Sequence, residues 1–426
     1  MLNRPSPSSA GTAPRLHCRR CLYTSDHPLG LTIDDDGICS GCRIHEEKDS
    51  LDWGARWRDL ERLVAPYRSQ SGAHYDCIVP VSGAGDSYWI VHQVKQRLGL
   101  NPLLVHYNKY YNTALGIRNL ANLRIRMDCD ILVQNVNPRS VKKITATTLR
   151  ELGSLYWHCL AGQTVWPVQT AVRYQVPLII WGAHQGLEQV GMFSHEQAVE
   201  MTRRHRKDHD LMGLEADDLL GTFDTLKEED IWQYRYPDDA ALARVGVRGI
   251  YLGNYLRWDP KAQHEQMVAQ YDYRSARFAR DFDTFDHVDC WNYLDLHDQL
   301  KLHKHGYGKV TDHACREIRH GRLTRAQGLA LVRQHEQQPV QHADKFCQWL
   351  GMDASGLRFL MDQFRSPRHW QSAQPGRFSF TGPSTGEPTV PAMCAADLDP
   401  QALFIANDSL AHNGEDGYIT VGKGHS

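Results

Sequence analysis

The chain has 426 residues, with 48 Lys and Arg against 50 Asp and Glu, a formal net charge of −2 and 41% apolar residues. That is enough for two or three domains around a large core, and the near-neutral balance excludes broad electrostatic binding to nucleic acid. No apolar stretch is long enough to span a bilayer. Residues 1–14 carry no hydrophobic signal region and read as a disordered lead-in, so a cytoplasmic protein is expected.

Residues 15–50 hold two knuckles, Cys18-Arg19-Arg20-Cys21 and Cys39-Ser40-Gly41-Cys42, with 17 residues between Cys21 and Cys39. The spacing fits a four-cysteine zinc ribbon, with Asp34-Asp35-Asp36-Gly37 turning between two short strands. So short a segment cannot bury a core, and bound metal would supply its folding energy. A reducing compartment argues against two disulfides, and the pairing of the knuckles argues against a lone redox motif. His17, His27 and His45 flank the knuckles and read as surface residues, because four thiolates already complete a tetrahedron. The other seven of the eleven cysteines are scattered singly, as buried thiols are.

Residues 51–185 open with a helix from Trp53 to about Tyr67. An alternation of strand and helix follows. Short Val/Ile/Leu-rich runs over 76–81, 102–107, 130–135 and 177–181 predict strands. Helical periodicities lie between them, carried by Leu115, Leu120 and Leu123, by Val141, Ile144 and Leu152, and, after Pro167, by Val168, Ala171 and Val172. This pattern predicts a parallel, doubly wound sheet, in which ligands sit at the carboxyl ends of the strands.

At the end of the first strand comes Ser82-Gly83-Ala84-Gly85-Asp86-Ser87. A strand, a turn of small residues and a helix start make an anion site, because backbone N–H groups can approach a phosphate. The ordinary alternative is a plain strand-to-helix turn with Asp86 or Ser87 as helix cap. The loop ends in Asp-Ser, not in the Lys-Ser or Lys-Thr of the Walker loop. It resembles the SGGxDS signature of PP-loop ATP pyrophosphatases, with Ala84 in place of the usual second glycine and Gly85 where lysine is frequent. In this reading Ser82, Gly83, Gly85 and Ser87 bind the β- and γ-phosphates of ATP, and Asp86 helps hold Mg²⁺. Tyr107 and Asn112, at the end of the second strand, lie near adenine or ribose.

From 186 to 370 the pattern turns mostly helical and forms a substrate or partner region. Glu215, Asp217 and Asp218 read as an acid-rich helix start in preference to an ion site. His195, His209, His305 and His313 are candidate acids or bases. Lys309 can put charge on a phosphate during adenylyl transfer, with Asp86 and Ser87 beside the reacting groups. His313 and Arg316 are candidate contacts to a substrate diphosphate. Cys159 reads as a buried thiol, and its alternative is a sulfur carrier. Residues 371–426 read as a linker and a tail with a short apolar run at Leu403–Ile405.

Over residues 15–370 the chain resembles the N-acetyl sugar amidotransferases of bacterial surface-polysaccharide biosynthesis. The resemblance rests on the double CxxC, on Tyr75-Asp76-Cys77 leading into the loop, and on Gly116-Ile117-Arg118-Asn119-Leu120 and Trp157-His158-Cys159. It continues through Met192-Phe193-Ser194-His195, His209-Asp210-Leu211-Met212-Gly213, Tyr251-Leu252-Gly253-Asn254-Tyr255, His305-Gly306-Tyr307-Gly308-Lys309 and Thr311-Asp312-His313-Ala314-Cys315-Arg316-Glu317. It implies an α/β fold: a PP-loop (HUP-like) sheet with an N-terminal zinc ribbon and a mostly helical C-terminal part. It also implies that ATP adenylates the acetamido group of a nucleotide-linked sugar, giving AMP, pyrophosphate and an acetamidino product. Ammonia would come from a partner pair similar to the glutaminase and cyclase subunits of imidazole glycerol phosphate synthase. Two alternatives stay open: a PP-loop thiolase of a base or metabolite, and a degenerate nucleotide-binding scaffold.

Overall fold

The expected strand runs alternate their side chains between two apolar layers, which is why the central ones settle as strands buried on both faces, while the run at 131–134 forms a half-buried edge. In β1 (Cys77–Pro80), Cys77 and Val79 face one layer and Ile78 the other. In β2 (Pro102–Tyr107), Leu104 opposes Leu103 and Val105 in the same way. β3 (Ile131–Gln134), β4 (Leu178–Trp181) and β5 (Arg248–Tyr251) complete a five-stranded sheet of order β3-β2-β1-β4-β5. Every pairing in it is parallel. The computed structural model describes residues 14–374, 376–387, 393 and 397–409.

The strand order reverses between β1 and β4. That reversal opens a crevice at the carboxyl ends of the two strands, where ligands of open α/β sheets bind. The loop 82–87 leaves β1 into this crevice. The sheet does not end at residue 185: β5 belongs to the segment expected to be helical and pairs with β4 from Leu178↔Arg248 to Trp181↔Tyr251. Its run, Arg248-Gly249-Ile250-Tyr251, holds one fully buried aliphatic residue, Ile250, and so carries little of the Val/Ile/Leu signal.

In chain order, the helices that matter here are α1 (Ser40–Ser50), α2 (Trp53–Val64), α3 (Gly85–Val91), α4 (Ala114–Met127), α5 (Pro138–Leu152), α6 (Trp157–Tyr174), α7 (Pro260–Tyr271), α8 (Lys309–Arg319), α9 (Arg325–His335) and α10 (Ala343–Leu350). Pro167 lies inside α6 and does not start it. A proline costs about 3 kcal/mol in a helix interior, and the burial of Trp157, Cys159, Val165, Val168 and Ala171 on the same helix offsets that cost.

The ribbon is welded to the rest of the molecule. Cys18, Cys21, Leu22, Tyr23 and Leu31 share a core with Val310, Ala314, Cys315, Leu329 and Val332 of α8 and α9. Burial corrects the expectation for two of the flanking histidines. His27 is wedged against Tyr23 and Tyr307, and His45 stacks edge-on against His320 at 4.7 Å. The two strands expected between the knuckles reduce to isolated bridges, His17↔Thr24 and Ile33↔Cys39. The N–H groups of Cys21 and Cys39 point to Cys18 Sγ, at 3.4 and 3.3 Å, and are lost to any ladder.

A hairpin stands where the linker was expected. β6 (Trp370–Gln374) and β7 (Arg377–Phe380) run antiparallel, with Trp370 opposite Phe380 and their rings 4.9 Å apart. Farther on, Phe404 packs on Phe282 and Phe285, so the apolar run in the tail completes a core. The lead-in, except Pro14, and the terminal Gly422–Ser426 lie outside the described residues. Among the described residues no helix is long and apolar enough to cross a membrane.

Candidate active site

The ladder of β1 ends when Val81 N–H donates to the Val105 carbonyl at 2.9 Å. The chain then folds on its own hydroxyls. Ser87 Oγ accepts from Ser82 N–H at 2.8 Å, and Ser82 Oγ accepts from Ala84 N–H at 3.2 Å. The N-cap of α3 is Ala84, with no side chain capping it. Neither Asp86 nor Ser87 is therefore the cap; Ser87 N–H turns back to the Ala84 carbonyl at 3.3 Å, and the N–H groups of Gly85 and Asp86 are left to water or a bound anion.

Two glycines have steric reasons. A Cβ on Gly83 would strike the carbonyl of Gly116 in α4, and Asn119 of the same helix donates to the Gly83 carbonyl at 3.3 Å. A Cβ on Gly85 would lie 2.6 Å from Cδ2 of His264 in α7. His264 therefore occupies the space that a side chain at 85 would need. Its Nε2 lies 3.0 Å from Asp86 Oδ1, with the imidazole 2% exposed and the carboxylate 49% exposed.

Behind Gly116 runs an acidic segment that sequence reasoning missed: Asp281, Asp283, Asp286 and Asp289. A Cβ on Gly116 would meet Asp289. Each acid has a cationic partner. Asp289 takes Lys109 at 2.6 Å and Asp283 takes Arg316 at 2.5 Å. His313 sits between Asp281, at 2.7 Å, and Asp286, at 3.3 Å. The Asp281 contact is an ion pair that lacks hydrogen-bond alignment. Burial would raise the Asp283 carboxyl, but Arg316, His313 and, toward the loop, His264 outweigh it and hold it at about 2. Burial would likewise lower His313, yet the carboxylates of Asp281 and Asp283 prevail and lift it to about 10. The signal was present as acids at 281, 283, 286 and 289, but only the fold pairs the first three with α8 and Asp289 with Lys109.

The structure brings His313 and Arg316 together on this segment, one turn apart on α8. Arg316 is committed to Asp283 and, at 2.7 Å, to Glu317. Lys309, at the start of α8, lies 3.4 Å from Asp312 and 5.4 Å from the Tyr293 ring centre. Its ammonium stays charged in spite of burial, held by Tyr293, Asp312 and Asp286. Tyr107 is placed in the core, its hydroxyl 2.8 Å from that of Tyr234 and its ring against Gly162. Asn112 donates to Asn108 Oδ1 at 2.7 Å and bridges Cys290 through its backbone. Cys159 is fully buried, its Sγ 3.4 Å from His158 Nε2, and burial pushes its thiol up. Glu215 and Asp218 form a reciprocal cap at a helix start, and Glu215 also binds Arg203 and Arg206.

The four knuckle thiols, Cys18, Cys21, Cys39 and Cys42, are buried with their Sγ atoms all within 4.8 Å of one another. Arg319 Nη2 of α8 lies 3.9 and 3.8 Å from the sulfurs of Cys21 and Cys39. Four converging soft donors with a cation beside them fit a tetrahedral thiolate site, whose excess negative charge the guanidinium offsets.

Residues 273–381 match the family model described as LPS biosynthesis protein WbpG-like, C-terminal domain. An uncharacterized protein of Methanocaldococcus jannaschii is 24% identical over 120 residues, which are 28% of this chain and 43% of that relative, so the chain spans less than half of its length. A solved NMN synthetase from Francisella tularensis aligns with a TM-score of 0.26 and 11% identity, covering 52% of this chain and 96% of that one. The matched segment carries both the acidic run and α8, and over it the chain is similar to the WbpG-like proteins of LPS biosynthesis.

Proposed function

We propose that the chain is an ATP-dependent amidotransferase that converts the acetamido group of a nucleotide-linked N-acetyl sugar into an acetamidino group. The observation that carries this reading is the placement of Ser82–Ser87 at the strand-order reversal, with a half-exposed Asp86, and with the segment that matches the LPS-biosynthesis model backing Gly116 behind the loop.

The amide oxygen of the acceptor attacks the α-phosphorus of ATP. A P–O bond forms, pyrophosphate leaves and the amide proton is lost, giving an O-adenylyl imidate. Ammonia adds to the imidate carbon, AMP departs with the oxygen, and the amidine remains. The loop N–H groups and the hydroxyls of Ser82 and Ser87 hold the departing pyrophosphate. Asp86 would hold Mg²⁺, which offsets the pyrophosphate charge when bound. His264 fixes the Asp86 carboxylate. Lys309, His313 and Arg316 set the charge of the wall behind the loop. A partner glutaminase would deliver ammonia, and the four knuckle cysteines would hold one structural zinc. The depth of Cys159 favours this chemistry over thiolation, which needs a reachable thiolate.

The test is incubation with ATP, Mg²⁺, high ammonium and a panel of acetamido sugar nucleotides. Mass spectrometry is expected to show one oxygen exchanged for NH, with AMP and pyrophosphate as co-products. ADP as product, or adenylation of some other amide or a base with the panel untouched, would overturn the reading.

A further inference from the structure

A cavity of about 530 Å³ lies between residues 277–280 and 291–295, which flank the acidic segment, the start of α10 and residues 406–409. Its position ties it to the loop. Trp291, in its wall, donates its backbone N–H to the Tyr111 carbonyl at 2.7 Å, and Cys290 bridges Asn112. The wall is thereby bolted to the segment leaving the carboxyl end of β2. Two residues earlier Asp289 backs onto Gly116, which in turn backs onto Gly83. Two residues of chain reach about 7 Å at most, so the cavity starts beside the structure that supports the glycine loop.

Its charge is unbalanced. Lys345 Nζ of α10 stands 3.9 Å above the Trp291 ring centre, and Arg277 is exposed at the rim. Neither has a hydrogen bond or an ion pair among the described residues. Of the two acids lining the cavity, Asp408 is ion-paired, and Asp295 keeps its charge but spends its oxygens on backbone N–H groups, so cations remain in excess. Asp295 accepts from the N–H groups of Gln341, at 3.0 Å, and His342, at 2.8 Å, while Asp408 holds Arg274 at 3.0 Å. Two cations without ion pairs, in excess over the one charge of Asp295, and an indole in the wall of a cavity of ligand size suit a phosphorylated small molecule.

The remaining wall comes from the tail, outside the segment matched to the family. Ser275 donates its backbone N–H to Asn407 Oδ1 at 2.8 Å and its hydroxyl to the Ile405 carbonyl at 2.8 Å, and Asp408 N–H returns to the Ser275 carbonyl at 3.0 Å.

We propose that this cavity is the acceptor site, in which Lys345 and Arg277 hold the phosphorylated end of the acceptor against Trp291, and that residues 406–409 of the tail form its outer wall. The assignment rests on the reading above for the identity of the acceptor as a nucleoside-diphosphate sugar.

The test is calorimetry on the full chain, with Mg²⁺ and α,β-methylene-ATP occupying the loop and UDP-N-acetylglucosamine and UDP as probes. Lys345→Met keeps the stem over the indole and removes the charge. Ala406→Trp fills the cavity from the tail, where a large side chain leaves the core untouched. Both probes are expected to bind alongside the ATP analogue, and each variant is expected to weaken them about tenfold or more, with the analogue's affinity held within twofold. Competition between probe and analogue, failure of both probes to bind, or unchanged probe affinity in either variant would overturn the assignment. Binding as expected with no oxygen-for-NH exchange in the ammonium assay would instead sink the proposed chemistry and leave the cavity assigned.

Discussion

Asp86 and His264 form the most informative pair at the scale of single residues. The imidazole replaces whatever side chain position 85 would carry and fixes one oxygen of the carboxylate at 3.0 Å. Asp86→Ala removes a half-exposed carboxylate that contacts His264 and leaves the packed glycines of the loop untouched. It is expected to abolish turnover with little change in thermal midpoint, measured by AMP release and by melting. His264→Ala removes the contact to Asp86 and is expected to lower kcat at least tenfold, while His264→Gln, which keeps an amide in reach, is expected to restore most of it; a kcat within twofold of wild type in His264→Ala would mean the histidine is only packing. Cys159→Ser is expected to retain most ammonium-dependent turnover, since the buried thiol has no part in the proposed steps. Complete loss of activity, with a persulfide on Cys159 in the parent, would transfer the assignment to thiolation. His313 adds a pH dependence. Its folded value, about 10, stands above its unfolded one, about 6.5. The stabilisation from its charged form is therefore fully present below pH about 6.5 and lost as pH rises through about 10. Urea midpoints are expected to fall across that window by an amount worth a few kcal/mol, and His313→Gln is expected to flatten the fall.

At the scale of elements, four of the five strands, the first helices and the glycine loop were legible, because each depends on local periodicity and turn chemistry. β2 runs over the expected residues, and β1, β3 and β4 are shorter than expected by one or two residues at their ends. What was not legible depends on pairing. β5 lacks a continuous apolar run and is a strand because β4 offers it an edge. The hairpin of β6 and β7 is held by Trp370 across from Phe380 in a Ser- and Gly-rich stretch. The stretch Gly116-Ile117-Arg118-Asn119 gave a family signal without a reason. The reason is that α4 presents Gly116 and Asn119 to the back of the loop, with Asp289 close behind. Gly116→Ala would force a methyl into Asp289, an overpacking expected to cost about 1–3 kcal/mol. It is also expected to lower ATP affinity, because the loop rests on that turn. Denaturant midpoints and ATP calorimetry check both effects, and unchanged ATP affinity would show that α4 does not set the loop.

For the whole molecule, α8 joins the cysteine cluster to the acidic segment, because its two faces serve different neighbours. Asp312, Cys315 and Arg319 face the ribbon: Tyr23 donates to Asp312 at 2.7 Å, Leu22 N–H to Cys315 Sγ at 3.3 Å, and Arg319 reaches the knuckle sulfurs. His313 and Arg316 face the acids behind the loop. The double CxxC was legible as a cluster of four cysteines, whereas its attachment to α8 was not, since no local pattern marks which helix a ribbon packs on. The sheet that carries the loop has an apolar core of its own, distinct from the core shared by the ribbon, α8 and α9. Loss of metal is therefore expected to act unevenly. Purified protein is expected to hold about one zinc, as a four-thiolate site does, and chelation or Cys39→Ser is expected to lower the thermal midpoint. Metal-dependent peptides owe on the order of 10 kcal/mol of folding energy to such a site, so the ribbon and the register of α8 should loosen together. Turnover is then expected to collapse, because the partners of Asp281 and Asp283 move with α8, while calorimetry still finds ATP bound at the loop with affinity changed only a few-fold. Parallel loss of ATP binding would show that the sheet depends on the ribbon after all, and unchanged turnover in metal-free protein would separate the cluster from the site.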